Sequence, residues 1–215
     1  MKKLIDKFGM INIVISFICC FAFLLNNVLI TKEALLNISD NLAVAYLLNF
    51  LAGCEGILGK WGSFSYALAI KDLQLWRVIT HVYLHAGVIH MVMNLAALLV
   101  VGKCVEKRLG GIHYLLVFNL IAILDAVIVC FIYTERNSVG ASGGIFGIIG
   151  IAIVMCIKKQ MKLKKSGIIY LIVFTIISIS PLLGMDTLVV HLLSLILGVL
   201  YGMVTIRKNT IENSQ

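Results

Sequence analysis

The sequence contains several apolar runs of about 20 residues, the length that a helix needs to cross the hydrocarbon core of a membrane. Hydrophobic residues make up 61% of the 215 residues and charged residues only 13%, and the mean hydropathy is +1.05. A chain of this size cannot bury so much apolar surface in a water-soluble core. Only one proline occurs, so long helices can form without interruption. We therefore predict an all-α membrane protein.

Six candidate spans predict one membrane domain over residues 10–206, flanked by short tails at 1–9 and 207–215. The first span, about 10–30, follows lysines as a signal peptide does, but its apolar run is longer and no cleavage motif follows, so we interpret it as a retained anchor. The stretch 42–51 is apolar but too short to span, which leaves a long outer loop after the first helix. The other spans are predicted at about 87–105, 112–133, 142–157, 167–183 and 187–206.

The positions of lysine and arginine predict the orientation of these helices. With six spans, both termini lie on one side of the membrane together with thirteen basic residues, while five lie on the other side. Because basic residues accumulate in cytoplasmic loops, both termini are predicted in the cytoplasm. The same short clusters account for the net charge of +8, so we expect no nucleic-acid partner. The minimal architecture and the Lys-, Ile- and Asn-rich composition indicate a bacterial cell membrane.

Four polar residues are predicted at a similar depth in the outer half of the membrane domain. Ser142 lies six residues after Arg136, and His191 lies five residues after Asp186, the charged residues at which the chain is expected to enter the membrane from the outside. Both are therefore predicted roughly 7–10 Å below the outer surface. His90 and Asn94 are four residues apart and share one helix face. Polar groups inside membrane helices are costly and mark functional sites. A serine, a base and hydrogen-bond donors are the groups that serine hydrolysis needs.

The segment around Ser142 has the spacing of a nucleophile motif. Gly140, Ser142 and Gly144 fit the pattern G-x-S-x-G, although the soluble hydrolase version needs a strand before the serine. A helix that begins at Ser142 would direct free N–H groups and its positive dipole end at an oxyanion. Small residues recur along the fourth and sixth predicted helices and permit the close approach that a Ser–His hydrogen bond of about 2.6–3.2 Å requires. They are Gly143, Gly147 and Gly150, and Ser194, Gly198 and Gly202.

Taken together, these residues resemble the rhomboid intramembrane serine proteases over roughly residues 76–202. Each motif is weak alone, but their order and spacing make the combination specific. The motifs are Trp76-Arg77, His85 with His90 and Asn94, Glu106-x-Arg108 with a following glycine, Gly140-x-Ser142-Gly143, and His191 with Gly198.

The resemblance implies a six-helix bundle that cleaves transmembrane segments of other membrane proteins near their outer ends, without a metal or cofactor. It implies Ser142 as nucleophile and His191 as general base. It also implies His90, Asn94 and the backbone N–H of Ser142 as oxyanion donors. Phe146 falls where the family stacks an aromatic ring against the base. Supporting roles fall on Gly140, Gly143, Gly198, Trp76 and Arg77, the last two in the outer loop beside the site.

Three positions depart from the family's pattern. Ser194 stands where the family commonly has glycine, three residues after the base. Phe146 stands where tyrosine is often found, so a hydroxyl contact is lost. Asp125, midway along the third predicted helix, matches no role that the resemblance supplies. Because no acidic residue is placed to orient His191, we predict a Ser–His dyad.

Other interpretations of the same residues remain open from the sequence alone. A serine at a helix start is often an N-cap, and His90 and Asn94 could form interhelical contacts. A catalytically inactive rhomboid-like protein that binds membrane segments and a small transporter are the main functional alternatives. A metalloprotease using His81, His85 and His90 is less favoured, because no H-E-x-x-H motif occurs. The sequence predicts neither the natural substrate nor the oligomeric state.

Overall fold

The computed structural model describes residues 5–6, 8–53, 56–180 and 184–206. Within these ranges the regular structure is helical, and the only β-type pairing is an isolated bridge between Phe64 and Ser138. The all-α prediction is therefore confirmed. The α-helices are α1 Met10–Val28, α2 Lys32–Leu36, α3 Leu42–Ala52, α4 Ile57–Gly62, α5 Arg77–Thr80, α6 Gly87–Leu109, α7 Gly111–Cys130, α8 Ser142–Ile157, α9 Lys165–Ser178 and α10 Met185–Thr205. A π-helical turn, Tyr66–Lys71, precedes α5, and a 3₁₀ turn, His81–Tyr83, follows it.

Four of these helices, α1, α6, α7 and α10, are long and apolar enough to cross a membrane. The chain is thus a multi-pass membrane protein. The other two predicted spans correspond to α8 and α9, apolar helices of 16 and 14 residues, so the count of six stays a prediction. The predicted fifth span reached residue 183, and residues 181–183 lie outside the described part of the chain. So do the tail 207–215 and most of the tail 1–9.

Helix α8 occupies the centre of the bundle. It packs against α6, α7 and α10, and every residue from Gly143 to Ala152 is buried. A helical segment enclosed on all sides needs no polar face, which explains why nine of these ten residues are isoleucine, glycine or alanine. Because α8 begins with Ser142, the central position of this helix brings the predicted nucleophile into the interior of the bundle.

Glycines allow α8 and α10 to touch through their backbones. A Cβ atom added at Gly198 would lie 2.0 Å from the carbonyl oxygen of Gly147, and one at Gly150 would lie 2.4 Å from that of Leu195. No side chain fits in either position, so the close approach predicted for these helices depends on glycine. Gly143 faces a different neighbour, because its added Cβ would lie 2.1 Å from the carboxylate of Asp125 on α7.

A buried polar pair joins α7 to α10. Asp125 is 2% exposed and Ser194 is fully buried. The Ser194 hydroxyl contacts the Asp125 carboxyl group and also lies 2.9 Å from the carbonyl oxygen of Val190. Two of the three departures from the rhomboid pattern are therefore partners, because the Ser194 hydroxyl is a hydrogen-bonding partner of the buried Asp125 carboxyl group.

A second polar cluster joins the C-terminal end of α6 to α1 and α7. The Glu106 carboxylate accepts hydrogen bonds from the backbone N–H groups of Ile11, 3.0 Å, and Asn12, 3.2 Å. It also accepts one from the Asn12 side chain, 2.8 Å. The carboxylate thus caps the first turn of α1, and the Tyr114 hydroxyl donates to the Asn12 amide oxygen at 2.6 Å.

We expect Gly198→Ala to destabilise the fold, because the added methyl group meets a backbone oxygen that cannot move away without separating α8 from α10. The expected cost is about 1–3 kcal/mol, the range for overpacked cores. The measurement is the unfolding midpoint of the purified chain in detergent micelles.

Gly167→Ala in α9 is the matched control for this substitution. Its added Cβ would meet only a methyl group of Val100, at 3.1 Å. Alanine is also the better helix former by about 1 kcal/mol, so little net change is expected. A Gly198→Ala chain as stable as the Gly167→Ala chain would contradict the backbone contact.

Candidate active site

Ser142 follows a turn whose conformation only glycine adopts easily. Gly140 has φ +128°, and its N–H donates to the carbonyl oxygen of His81 at 2.9 Å. A Cβ atom at Gly140 would lie 2.7 Å from the His90 ring and 3.7 Å from the Ser142 hydroxyl oxygen. Gly140 therefore leaves space between His90 and Ser142 that any other residue would fill.

The segment before Ser142 is held at three points. Ser138 exchanges two backbone hydrogen bonds with Phe64 of the outer loop, of 3.0 and 2.7 Å. The Arg136 guanidinium donates to the Ser138 hydroxyl at 2.7 Å and forms an ion pair with Asp186 at the start of α10. Together with the contact between Gly140 and His81, these bonds connect the Ser142 turn to the outer loop and to the helix that carries His191.

His191 is oriented by a backbone carbonyl. The ring is 5% exposed, and its Nδ1 lies 2.7 Å from the carbonyl oxygen of Ser178, the last residue of α9. A carbonyl oxygen can only accept, so Nδ1 carries the proton of the neutral ring and Nε2 keeps its lone pair. The Phe146 ring stacks on the imidazole with centroids 4.5 Å apart and planes inclined by 18°. These two contacts leave Nε2 available as a base.

One cavity of about 460 Å³ is lined by Ser142, His191, His90 and Asn94. The four residues come from α8, α10 and α6, so the fold brings together groups up to about a hundred positions apart in the sequence. Among the described residues, the Ser142 hydroxyl and the His191 ring are not hydrogen-bonded to each other. Both line the cavity. The other polar residues of the wall are Arg136, Asn137, Ser178 and Thr187.

Asn94 is a buried amide without a partner. It is 1% exposed, and neither its oxygen nor its nitrogen makes a hydrogen bond. A buried amide in this state costs free energy, and such a group in a native structure calls for an explanation. Since Asn94 lines the cavity with Ser142, its N–H groups can serve an acceptor that enters the cavity.

Trp76 and Arg77 lie outside this cavity and organise the outer loop. The buried Arg77 guanidinium donates to the carbonyl oxygens of Lys60, 2.9 Å, and Ser63, 2.8 Å. The Trp76 ring stacks on Trp61 with centroids 5.9 Å apart, and its N–H donates to the carbonyl oxygen of Trp61 at 3.1 Å. Both residues stabilise the fold of the outer loop.

Gly143 and Gly198 also lie outside the cavity, although both were predicted to support the site. Gly143 packs against Asp125, and Gly198 packs against the backbone of Gly147.

His81, His85 and His90 belong to no metal-binding group among the described residues. The rings of His85 and His90 are 5.2 Å apart between centroids, but no group of three or more His, Cys, Asp or Glu that could hold a metal occurs among the described residues. Burial lowers the pKa of His81 to about 4 and that of His85 to about 3, so both are neutral at physiological pH.

Sequence reasoning missed three contacts of the site. The Ser178 carbonyl that orients His191 is a backbone group, which no residue pattern reveals. The same holds for the His81 carbonyl that fixes Gly140. The ion pair between Arg136 and Asp186 did have a signal, since these opposite charges lie at similar distances before Ser142 and His191.

Three known proteins illustrate what the chain is similar to. It is 37% identical over 106 residues to the Rhomboid-like protease 3 of Toxoplasma gondii, covering 47% of this chain and 40% of that protein. It is 34% identical over 99 residues to the Rhomboid protease GluP of Bacillus subtilis, covering 46% and 19%. It is 28% identical over 128 residues to the Inactive RHOMBOID-like protein 8 of Arabidopsis thaliana, covering 59% and 36%. Each match spans less than half of the relative's length.

The family model for the Rhomboid domain matches residues 72–208 of the sequence. This range begins just before α5, continues beyond the end of α10 and contains every polar residue that lines the cavity. Because the match covers well over half of the chain, this protein belongs to the rhomboid family.

Proposed function

We propose that this rhomboid protein is an intramembrane serine endopeptidase that cuts transmembrane segments of other membrane proteins near their outer ends. The observation that carries the proposal is the single cavity lined by Ser142, His191, His90 and Asn94. Two relatives, from Toxoplasma gondii and Bacillus subtilis, are named as proteases, which supports the same activity here.

The first step is attack by Ser142 on a substrate carbonyl carbon. His191 Nε2 accepts the hydroxyl proton as the new C–O bond forms. The Ser178 carbonyl then holds the Nδ1–H of the imidazolium, in the position that an aspartate occupies in a triad. Catalytic hydrogen bonds are often long in free enzymes and tighten with substrate, so the separation of Ser142 and His191 in the free chain is compatible with this step.

The negative charge of the tetrahedral intermediate falls on the former carbonyl oxygen. The unpaired Asn94 amide and the His90 ring line the cavity beside Ser142 and are the proposed donors to this oxyanion. The backbone N–H of Ser142, at the start of a 16-residue helix, adds a third donor and the positive end of the helix dipole. Donors already in place stabilise the developing charge without reorganising during the reaction.

Collapse of the intermediate breaks the peptide C–N bond. His191 gives its proton to the leaving amine, and Ser142 remains as an ester of the substrate. Water then attacks this ester with His191 again as base, which releases the acid and restores the serine. A helical substrate must unwind to expose its carbonyl groups, so glycine near the outer end of a substrate span should favour cleavage.

The topology belongs to the same proposal. We infer six spans within residues 10–206, with α8 and α9 as the short fourth and fifth spans, and tails 1–9 and 207–215 in the cytoplasm of a bacterial cell. The excess of basic residues on the side of both termini supports this orientation. It places the cavity below the outer surface of the cell membrane.

An inactive rhomboid that only binds membrane segments is the second candidate, because one Arabidopsis thaliana relative is named as inactive. The presence of both Ser142 and His191 at one cavity favours activity. A transporter is less favoured, since the polar groups of the cavity lie near one end of the helices, whereas transporter sites lie near the membrane midplane.

Labelling with a serine-directed fluorophosphonate tests the dyad. We expect the intact chain to be labelled, Ser142→Ala to abolish labelling, and His191→Ala to slow it by about 10³-fold or more, because the hydroxyl is unreactive without its base. The controls are Ser166→Ala and His113→Ala, which remove exposed side chains outside the cavity. An intact chain that resists labelling and leaves membrane substrates uncut would favour the inactive candidate.

The oxyanion donors are tested by Asn94→Ala and His90→Ala. Each should lower kcat for cleavage of a reporter transmembrane substrate by about 10²–10³-fold, less than Ser142→Ala does, because one donor of several is lost. Asn37→Ala, at an exposed position of the outer loop, is the control. A rise in KM with an unchanged kcat would assign these residues to substrate binding instead.

Cysteine accessibility tests the topology. Single cysteines are introduced at the exposed positions 71, 135 and 162 of a chain whose native cysteines have been replaced. A membrane-impermeant maleimide added to intact cells should label Lys71→Cys and Glu135→Cys but not Lys162→Cys. The reason is that α8 must cross the membrane between positions 135 and 162. Equal labelling at positions 135 and 162 would rule out a spanning α8.

A further inference from the structure

A second cavity, of about 480 Å³, lies between α8 and α9 at the end of α8 opposite to Ser142. Its α8 wall runs from Ile149 to Ile157, roughly 10–22 Å along the helix axis from Ser142. Ile172 and Ile176 of α9 form the facing wall and are 53% and 62% exposed. The cavity is therefore an apolar groove that opens on the outside of the bundle, where the chain meets lipid. We call it the α8–α9 groove.

Five lysines lie close in sequence to residues that line one end of the α8–α9 groove, Ile157 and Leu163. The loop from α8 to α9 contains four of them and Lys165, the first residue of α9, is a fifth. Leu163, between Lys162 and Lys164, lines the groove itself. Lys158 bonds to the carbonyl oxygens of Met203 and Ile206 at the end of α10. The other four, Lys159, Lys162, Lys164 and Lys165, are exposed, and none has an acidic partner within the described residues.

We propose that the α8–α9 groove binds an anionic phospholipid, with one acyl chain between the two helices and the phosphate among the loop lysines. An apolar slot that ends in a cluster of unpaired cations matches an amphiphile with an apolar chain and a negative head. A zwitterionic lipid fills the slot equally well but brings no net charge to the lysines. Basic residues at the membrane surface attract anionic lipids, with an effect of about fivefold in affinity for each lysine.

The position of the groove connects this lipid to the candidate active site. α9 forms one wall of the groove, and the same helix supplies the Ser178 carbonyl to His191. Phe174 of α9 also packs on Phe146, with ring centroids 5.4 Å apart. A lipid held between α8 and α9 therefore contacts the helix that orients the proposed base. Binding itself does not depend on proteolysis, so it is tested separately from the proposed function.

The experiment is a titration of the purified full chain in detergent with phosphatidylglycerol or with phosphatidylcholine of identical acyl chains, read by native mass spectrometry. We expect phosphatidylglycerol to bind at least about tenfold more tightly. The double variant Lys162→Gln/Lys164→Gln should weaken its binding by tenfold or more. The control Lys60→Gln/Lys71→Gln removes the same charge from exposed positions in the outer loop and should leave binding unchanged. Equal binding of the two lipids, or equal loss in the control, would overturn the proposal.

A second pair of variants tests the acyl-chain slot. Ile172→Trp fills the groove, whereas Ile169→Trp adds the same ring to a position that is also 53% exposed but outside the groove. Only Ile172→Trp should weaken phosphatidylglycerol binding, again by about tenfold. Thr175→Leu is a smaller filling variant for the case that the Trp variant does not fold. Equal effects of the two Trp variants would show that the bound lipid lies elsewhere.

Discussion

The contact between the backbones of α8 and α10 is the constraint on which the candidate site depends. Ser142 begins α8 and His191 lies in the first third of α10, so the distance between these helices sets the space available to a substrate. Gly147, Gly150 and Gly198 bring the two backbones so close that not even a methyl group fits between them. In a membrane, where lipid is as apolar as the protein interior, such close packing is a main source of helix association.

The site is built on this contact by backbone groups as much as by side chains. The Ser178 carbonyl orients His191, and the His81 carbonyl fixes the turn before Ser142. Both acceptors come from neighbouring segments, the end of α9 and the outer loop. The arrangement makes the proposed base sensitive to the position of α9, the helix that also forms one wall of the α8–α9 groove.

The contact between Asp125 and Ser194 shows how the chain accommodates its departures from the rhomboid pattern. Ser194 is small enough to stay fully buried between helices, and its hydroxyl partners the buried Asp125 carboxyl group. Asp125 in turn lies against Gly143, directly after the proposed nucleophile. Because the Asp125 carboxyl group and the Ser194 hydroxyl are in contact, the effect on stability of replacing one of them depends on whether the other is present.

The amino-acid sequence alone predicts a helical, multi-pass membrane protein that resembles the rhomboid family, because hydropathy, helix length and motif spacing can be read along the chain. It also nominated Ser142, His191, His90 and Asn94, since polar residues are conspicuous in apolar helices. The folded chain was needed to see that these four residues line one cavity, that the Ser178 carbonyl orients His191 and that Asp125 contacts Ser194. It was also needed to see that Trp76 and Arg77 make contacts within the outer loop and lie outside the cavity. These facts depend on backbone carbonyls and on the rotation of each helix about its axis, which residue types do not specify.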